Sequence, residues 1–166
     1  TVQHSIYYLV GDYVELLRGS INSYAALPGS LALNASAKLR ELHQIWEKEY
    51  SGLPFTWNDV LGVLQETIRP VTLAEINSQS KDGLNYTHAP QRVIAIGGYR
   101  LSRGLTLEGL LVSYYARNAR AYDSLMQMAR WFGYRFGYEN LCRVWMTEQS
   151  ARWYAYVANA TKELTD

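Results

Sequence analysis

Arginines and glycines recur between residues 92 and 135, and their chemistry suits a phosphate group. Gly97 and Gly98 directly follow an apolar run, where glycines can offer open backbone amides to an anion; a plain tight turn is the alternative. Arginine presents a rigid fork of N–H donors that stays charged at any accessible pH, which suits phosphoryl oxygens and the charge that develops in phosphoryl transfer. These residue types predict a phosphate site, with surface or carboxylate-paired arginines as the alternative.

Short polar side chains beside the same stretch could hydrogen-bond a phosphodiester backbone. Asn77 and Ser78 follow one apolar run, and Ser102 and Thr106 belong to the loop that comes after Gly98. Asparagine, serine and threonine also cap turns, and that role is the alternative for them. The sequence thus offers two loops as candidate nucleic-acid contacts.

The elements that must hold these loops alternate between strands and helices. Apolar runs predict buried strands over 71–77, 93–96, 110–115 and 141–147. Apolar residues at helical spacing predict helices over 122–132 and 150–160. This alternation favours an α/β fold with a mostly parallel sheet covered by helices. Ligands bind such sheets at the carboxyl ends of the strands, which is where the candidate loops begin.

The first 70 residues predict a mainly helical segment instead. Breaks fall at 27–30 and 51–54, where proline and glycine occur close together. Thr56 is suited to be the N-cap of a helix over 57–68. His4 and Ser5 are interpreted as the end of a first short strand.

Charge is unevenly spread along a chain whose net charge is only +1. Residues 1–88 carry six basic and nine acidic groups, a balance of −3, whereas residues 89–166 carry ten basic and six acidic groups, a balance of +4. Nine of those ten basic residues are arginine. The arginine-rich half agrees with a phosphate-bearing partner, although +4 is too small to establish nucleic-acid binding, and a solvated surface is the alternative.

Several classes of protein are excluded by what the chain lacks. Cys142 is the only cysteine, so no intrachain disulfide or cysteine metal cluster is possible, and a reducing cytoplasm is the expected location. The three histidines lack metal-ligand spacing, so no metal site is predicted. No apolar run approaches the ~20 residues of a membrane span, and we expect a soluble protein with no membrane partner. No Gly-x-x-x-x-Gly-Lys-Ser/Thr loop occurs, so this chain is not a complete ATPase.

Two segments carry a resemblance to superfamily-two helicases. Residues 94–110 (IAIGGYRLSRGLTLEGL) resemble motif V, and residues 127–135 (QMARWFGYR) resemble motif VI. Together they are similar to a bacterial family called the Z-one (Z1) domain, labelled as an endonuclease family and found beside helicase-type ATPase domains in restriction-modification-like operons. The match is strong over about 71–147. It implies a RecA-like core, the helicase C-terminal domain, over 71–166, with residues 1–70 as a helical elaboration packed on it in a single-domain fragment of a longer protein.

The resemblance also implies roles for particular residues. Arg130 and Arg135 would be arginine-finger candidates, and Gln127 would contact either the nucleotide or a neighbouring motif. The motif V positions are Gly97, Gly98, Arg103, Gly104 and Thr106, of which Arg103 would couple nucleotide to nucleic acid. The two arginines are five residues apart, whereas the common helicase form has them three apart, and Thr106 stands where that form has an acidic residue.

The implied function is the second motor domain of a DNA-dependent ATPase in a restriction or phage-defence system. ATP and Mg²⁺ would be held mainly by an upstream RecA-like domain of the same protein, and DNA and other defence subunits would be the further partners. The alternative is a nucleic-acid-binding or scaffolding module without ATP coupling. An endonuclease is a third reading, which the acidic residues do not support because they show no converging arrangement.

Overall fold

The chain forms a mixed α/β structure in a computed structural model that describes residues 2–77, 91–98, 101, 107, 109–115 and 137–163. Its elements in chain order are α1 (Val2–Tyr24), α2 (Gly29–Ala35), α3 (Ala37–Tyr50), α4 (Trp57–Ile68), β1 (Val71–Ile76), β2 (Arg92–Gly97), β3 (Val112–Tyr115), β4 (Arg143–Met146) and α5 (Glu148–Glu163). Residues 1–98 and residues 99–166 form two compact units.

The core of the first unit is made by its four helices. Six buried apolar residues pack together in it, namely Ile21, Ala25, Ala32, Leu39, Trp57 and Leu61. Ala32 and Leu39 are completely buried, at 0 % exposure. Each of the four helices contributes to this one cluster, but apolar residues of the same predicted helical stripes, such as Leu16 and Ile45, lie exposed. The helical spacing therefore predicted the helices and only part of the buried core.

Helix α4 begins where the sequence predicts, because its N-terminal signal is local. Thr56 Oγ1 accepts a hydrogen bond from the Asp59 amide at 3.3 Å, and the Asp59 carboxylate accepts one from the Thr56 amide at 2.7 Å. This reciprocal capping box satisfies two backbone donors that the helix itself cannot pair. The hydrogen bonds from the Thr56 side chain and backbone also lower the pKa of the Asp59 carboxyl.

We predict that Thr56→Ala destabilises the chain by about 1 kcal/mol, the usual cost of losing an N-cap side chain. Urea unfolding followed by circular dichroism measures the change. Thr67→Ala in the same helix is the matched control, since Thr67 is exposed and bonds only the Val63 carbonyl of its own helix. Folding lowers the pKa of the Asp59 carboxyl, so the ionised carboxylate stabilises the folded state above its ordinary pKa of 3.8. This stabilisation is lost as the pH falls through the lower pKa of the folded state. Equal midpoints for the two variants would contradict the prediction.

Strands β1 and β2 pair in parallel with an unbroken register from Val71 opposite Arg92 to Ile76 opposite Gly97. A parallel pair requires a crossover between its strands, and residues 77–91 supply it along the chain. The carboxyl ends of β1 and β2 therefore lie side by side.

Helix α1 is tied to β1 near both ends of the strand. The Arg18 guanidinium donates to the carbonyl of Val71, at the start of β1, and to that of Ile68, at the end of α4. The Gln3 amide donates to the carbonyl of Ile76, at the end of β1. Since residue 18 meets the beginning of the strand and residue 3 meets its end, α1 runs antiparallel to β1.

The second unit contains its own parallel pair. Strands β3 and β4 pair from Val112 opposite Arg143 to Tyr115 opposite Met146. After β4, Thr147 Oγ1 accepts a hydrogen bond from the Ser150 amide in the first turn of α5. Burial, and secondly the neighbouring Tyr115, raises the pKa of Tyr154 on α5 to about 12, so this phenol stays protonated at neutral pH.

Comparison with the sequence-based expectations confirms the α/β class, the helical first segment and the parallel pairing of strands. The predicted strand that ends at His4 and Ser5 is wrong, because both residues lie in α1. The two strand pairs, among the described residues, do not by themselves make a RecA-like sheet. The predicted helix over 122–132 lies outside the described residues, and the predicted boundary after residue 70 stays a prediction. In the described parts of the chain, no helix is long and apolar enough to cross a membrane.

Candidate ligand-binding site

The carboxyl ends of β1 and β2 form the edge at which the sequence predicts a ligand. Ile76 and Gly97 are register partners, so Asn77 and Gly98 are the next residues to leave the sheet on neighbouring strands. Gly98 is exposed, and Asn77 is half-buried. The structure thus brings together two candidate groups that are 21 residues apart in the sequence.

The first turn of α1 closes this edge from one side. Gln3 Nε2 donates to the carbonyl oxygen of Ile76 at 2.9 Å and to that of Ile96 at 3.0 Å. One side-chain amide has two N–H donors, so both are used on the two neighbouring strands. A Cβ atom placed on Gly98 would lie 3.9 Å from Gln3 Oε1, which is ordinary contact. Gln3 therefore lies beside Gly98.

A histidine and a glutamate adjoin the Gln3 contact. His4 Nδ1 lies 3.2 Å from Glu75 Oε2, and the Tyr8 ring meets the imidazole edge-on at 4.8 Å between centroids. The His4 side chain is 54 % exposed and that of Glu75 is 23 % exposed. A carboxylate behind an imidazole fixes the orientation of the ring, an arrangement that serves proton transfer and anion binding in other proteins.

The predicted site residues fall into two groups. Asn77, Gly97 and Gly98 are described, and they meet at the β1–β2 edge. The others lie outside the described residues, namely Ser78, Ser102, Arg103, Gly104, Thr106, Gln127, Arg130 and Arg135. Their roles stay predictions.

Gln3, His4 and Glu75 were missed as site residues. A signal for Gln3 is present in the sequence, because Gln3 continues the inward face of α1, on which Tyr7 and Val10 are half-buried and Val14 and Ile21 are buried, at helical spacing. Extending that pattern by one turn would have put Gln3 on the face that meets the sheet. Nothing local marks Glu75, whose role depends on the docking of α1.

Metal ligands do not cluster in the described ranges, which contain no group of three or more His, Cys, Asp or Glu side chains that could hold a metal ion. Cys142, just before β4, is a half-buried free thiol. The chemistry available at the described part of the edge is thus hydrogen bonding by amides, with an imidazole and a carboxylate alongside.

Comparison with known proteins yields a family. The model of the Z1 domain family matches residues 1–166, which is the whole chain and includes the helices before β1. No curated protein and no solved structure matches the chain. Because the family model spans the helical segment as well as the strands, this chain is a member of the Z1 domain family.

Proposed function

We propose that this chain is the second motor domain of a DNA-dependent ATPase, a helicase-like protein of a restriction or phage-defence system. In this proposal the strands belong to a RecA-like core, and an upstream domain of the same protein holds ATP and Mg²⁺. This chain adds arginines to the nucleotide and backbone contacts to the DNA.

The observation that carries the proposal is the register of β1 and β2. It puts Asn77 and Gly98 side by side at the carboxyl edge of a parallel pair, the edge that α/β proteins use for phosphate-bearing ligands. Backbone amides and an asparagine amide are donors that suit phosphate oxygens, so these residues fit such a ligand. Membership of the Z1 domain family, together with the resemblance to helicase motifs V and VI, supports the same reading.

The chain's own residues would act by positioning and by charge. Bound ATP supplies the γ-phosphoryl group that is transferred to water, and Mg²⁺ neutralises part of its charge. Arg130 or Arg135 would stabilise the charge that develops on the phosphoryl oxygens, and Arg103 would respond to the DNA backbone. Asn77 and the Gly98 amide would contribute hydrogen bonds that carry no sequence information, as expected for a motor that moves along any sequence.

The experiment that tests the proposal is ATP hydrolysis by the parent protein with and without DNA, measured together with DNA binding. The expected result is turnover that DNA stimulates. A parent protein that binds DNA but shows no stimulated turnover would establish the scaffolding alternative in its place. Cleavage of DNA by this chain alone, dependent on a divalent metal, would establish the endonuclease instead.

A further inference from the structure

We propose that Gln3 is a positioning residue that sets the geometry of the phosphate-binding edge from the first turn of α1. The inference rests on the proposed function, since it concerns how the same edge is held. Gln3 does not touch the ligand in this account. It acts through the strand ends from which Asn77 and Gly98 leave the sheet.

The Gln3 side chain bridges the ends of β1 and β2. The two carbonyl oxygens that accept from Gln3 belong to residues 73 and 93 positions away in the sequence, one on each strand. A single planar amide that donates to both fixes their separation to within the tolerance of a hydrogen bond. The spacing of the two strand ends is thus linked to the position of α1.

Helix α1, which carries Gln3, is itself held against the rest of the first unit. Fifteen residues further along α1, Arg18 holds the start of β1 through the Val71 carbonyl. Between these points α1 lies against β1, since a Cβ atom placed on Gly11 would be 3.8 Å from Leu73 Cδ2, an ordinary van der Waals contact. Since α1 also contributes Ile21 to the buried helical core, Gln3 is placed by a packed helix and not by a loop.

The Gln3 side chain also lies close to Gly98. Gln3 Oε1 borders Gly98, so a shift of the Gln3 side chain would alter the space beside that glycine. In metal sites, removing a group that orients a ligand residue from behind changes affinity about 10–100-fold, and the lower end of that range is our guide for this edge. We therefore expect loss of Gln3 to weaken phosphate binding while the fold survives.

The test uses the parent protein with two substitutions of similar length. Gln3→Met removes both donors without adding charge, and Gln3→Glu also places a carboxylate against the two carbonyl oxygens. Gln44→Glu is the matched control, because Gln44 is an exposed residue of α3 in the same unit. Affinities are measured by fluorescence anisotropy with a labelled single-stranded oligonucleotide and, separately, with a fluorescent ATP analogue.

The expected result is a Kd about tenfold higher for Gln3→Met, and higher again for Gln3→Glu, with Gln44→Glu unchanged. A change confined to the oligonucleotide assigns the edge to the nucleic-acid backbone, and a change confined to the ATP analogue assigns it to the nucleotide. Turnover at saturating DNA should stay within about twofold, because positioning acts on binding and not on the transferred phosphoryl group.

Wild-type affinity for both ligands in a folded Gln3→Met protein would overturn the inference and leave the motor proposal standing. If the wild-type protein binds DNA but does not hydrolyse ATP, the motor proposal fails, while the Gln3 comparison still succeeds or fails on binding alone. Should Gln3→Glu not fold, Gln3→Met carries the test by itself.

Discussion

Replacing Arg130 or Arg135 by alanine should reduce DNA-stimulated ATP turnover of the parent protein by about 10³-fold at whichever position supplies the finger. The reason is electrostatic, because an arginine inserted at the γ-phosphate stabilises charge that exists only in the transition state. Nucleotide binding should be largely retained, so the loss should be seen in kcat and not in KM.

The spacing of the two arginines predicts that their effects are unequal. Residues three apart on a helix point about 60° from one another, whereas residues five apart point about 140° from one another. Arg130 lies within the helix predicted over 122–132 and Arg135 lies beyond it, and even a helix continued to Arg135 would not point both arginines at one phosphate. We expect one variant to lose most of the turnover and the other to lose far less.

A matched control is available in Arg152, which is exposed and pairs with Glu148 on the surface of α5. Arg152→Ala should keep wild-type turnover, because Arg152 is not among the predicted site residues. It should also remain folded, because an exposed ion pair contributes little to stability. Each variant must first show a wild-type unfolding midpoint. Wild-type turnover in both Arg130→Ala and Arg135→Ala would remove the motif VI assignment.

Leu39→Ala should destabilise the first unit by about 2–5 kcal/mol, the largest effect that we expect from a core substitution here. Leu39 is completely buried in the helical core, and its truncation would leave a cavity in the cluster that also contains Ile21, Ala32 and Trp57. A domain of this size has a total stability of only about 5–15 kcal/mol, so such a loss would shift unfolding strongly.

Leu31→Ala makes the same chemical change at a residue of α2 that is 53 % exposed. Its effect should stay within about 0.5 kcal/mol, as for other surface substitutions. Urea unfolding followed by circular dichroism compares the two variants directly. A Leu39→Ala protein as stable as Leu31→Ala would contradict the packing described for α3.

Local signals in the sequence were enough for much of the first unit. The capping box of Thr56 and Asp59 involves residues three apart, so it fixes the start of α4 without reference to the rest of the chain. The apolar runs that became β1 and β2 were also readable, because β-branched and other apolar residues favour strands, although only Ile76 among them is buried. For the same reason the edge carrying Asn77, Gly97 and Gly98 could be anticipated from the order of strands and loops.

Local reasoning failed at the beginning of the chain. His4 and Ser5 were interpreted as strand residues, although α1 begins at Val2 and its inward face, with Tyr7, Val10 and Val14, already lies at helical spacing. A short window before the first clear repeat gave too few positions to establish the helical period.

Local patterns were sufficient to predict the α/β class, the helical first segment, the bounds of α4 and the edge at which Asn77 and Gly98 leave the sheet. The contacts that hold the ends of β1 and β2 required the tertiary structure. Gln3 finds its two partners 73 and 93 residues away, and His4 finds Glu75 across 71 residues. Hydrogen bonds between such distant residues depend on how α1 docks on the strands, and docking is set by the packing of the whole unit, which no local pattern encodes.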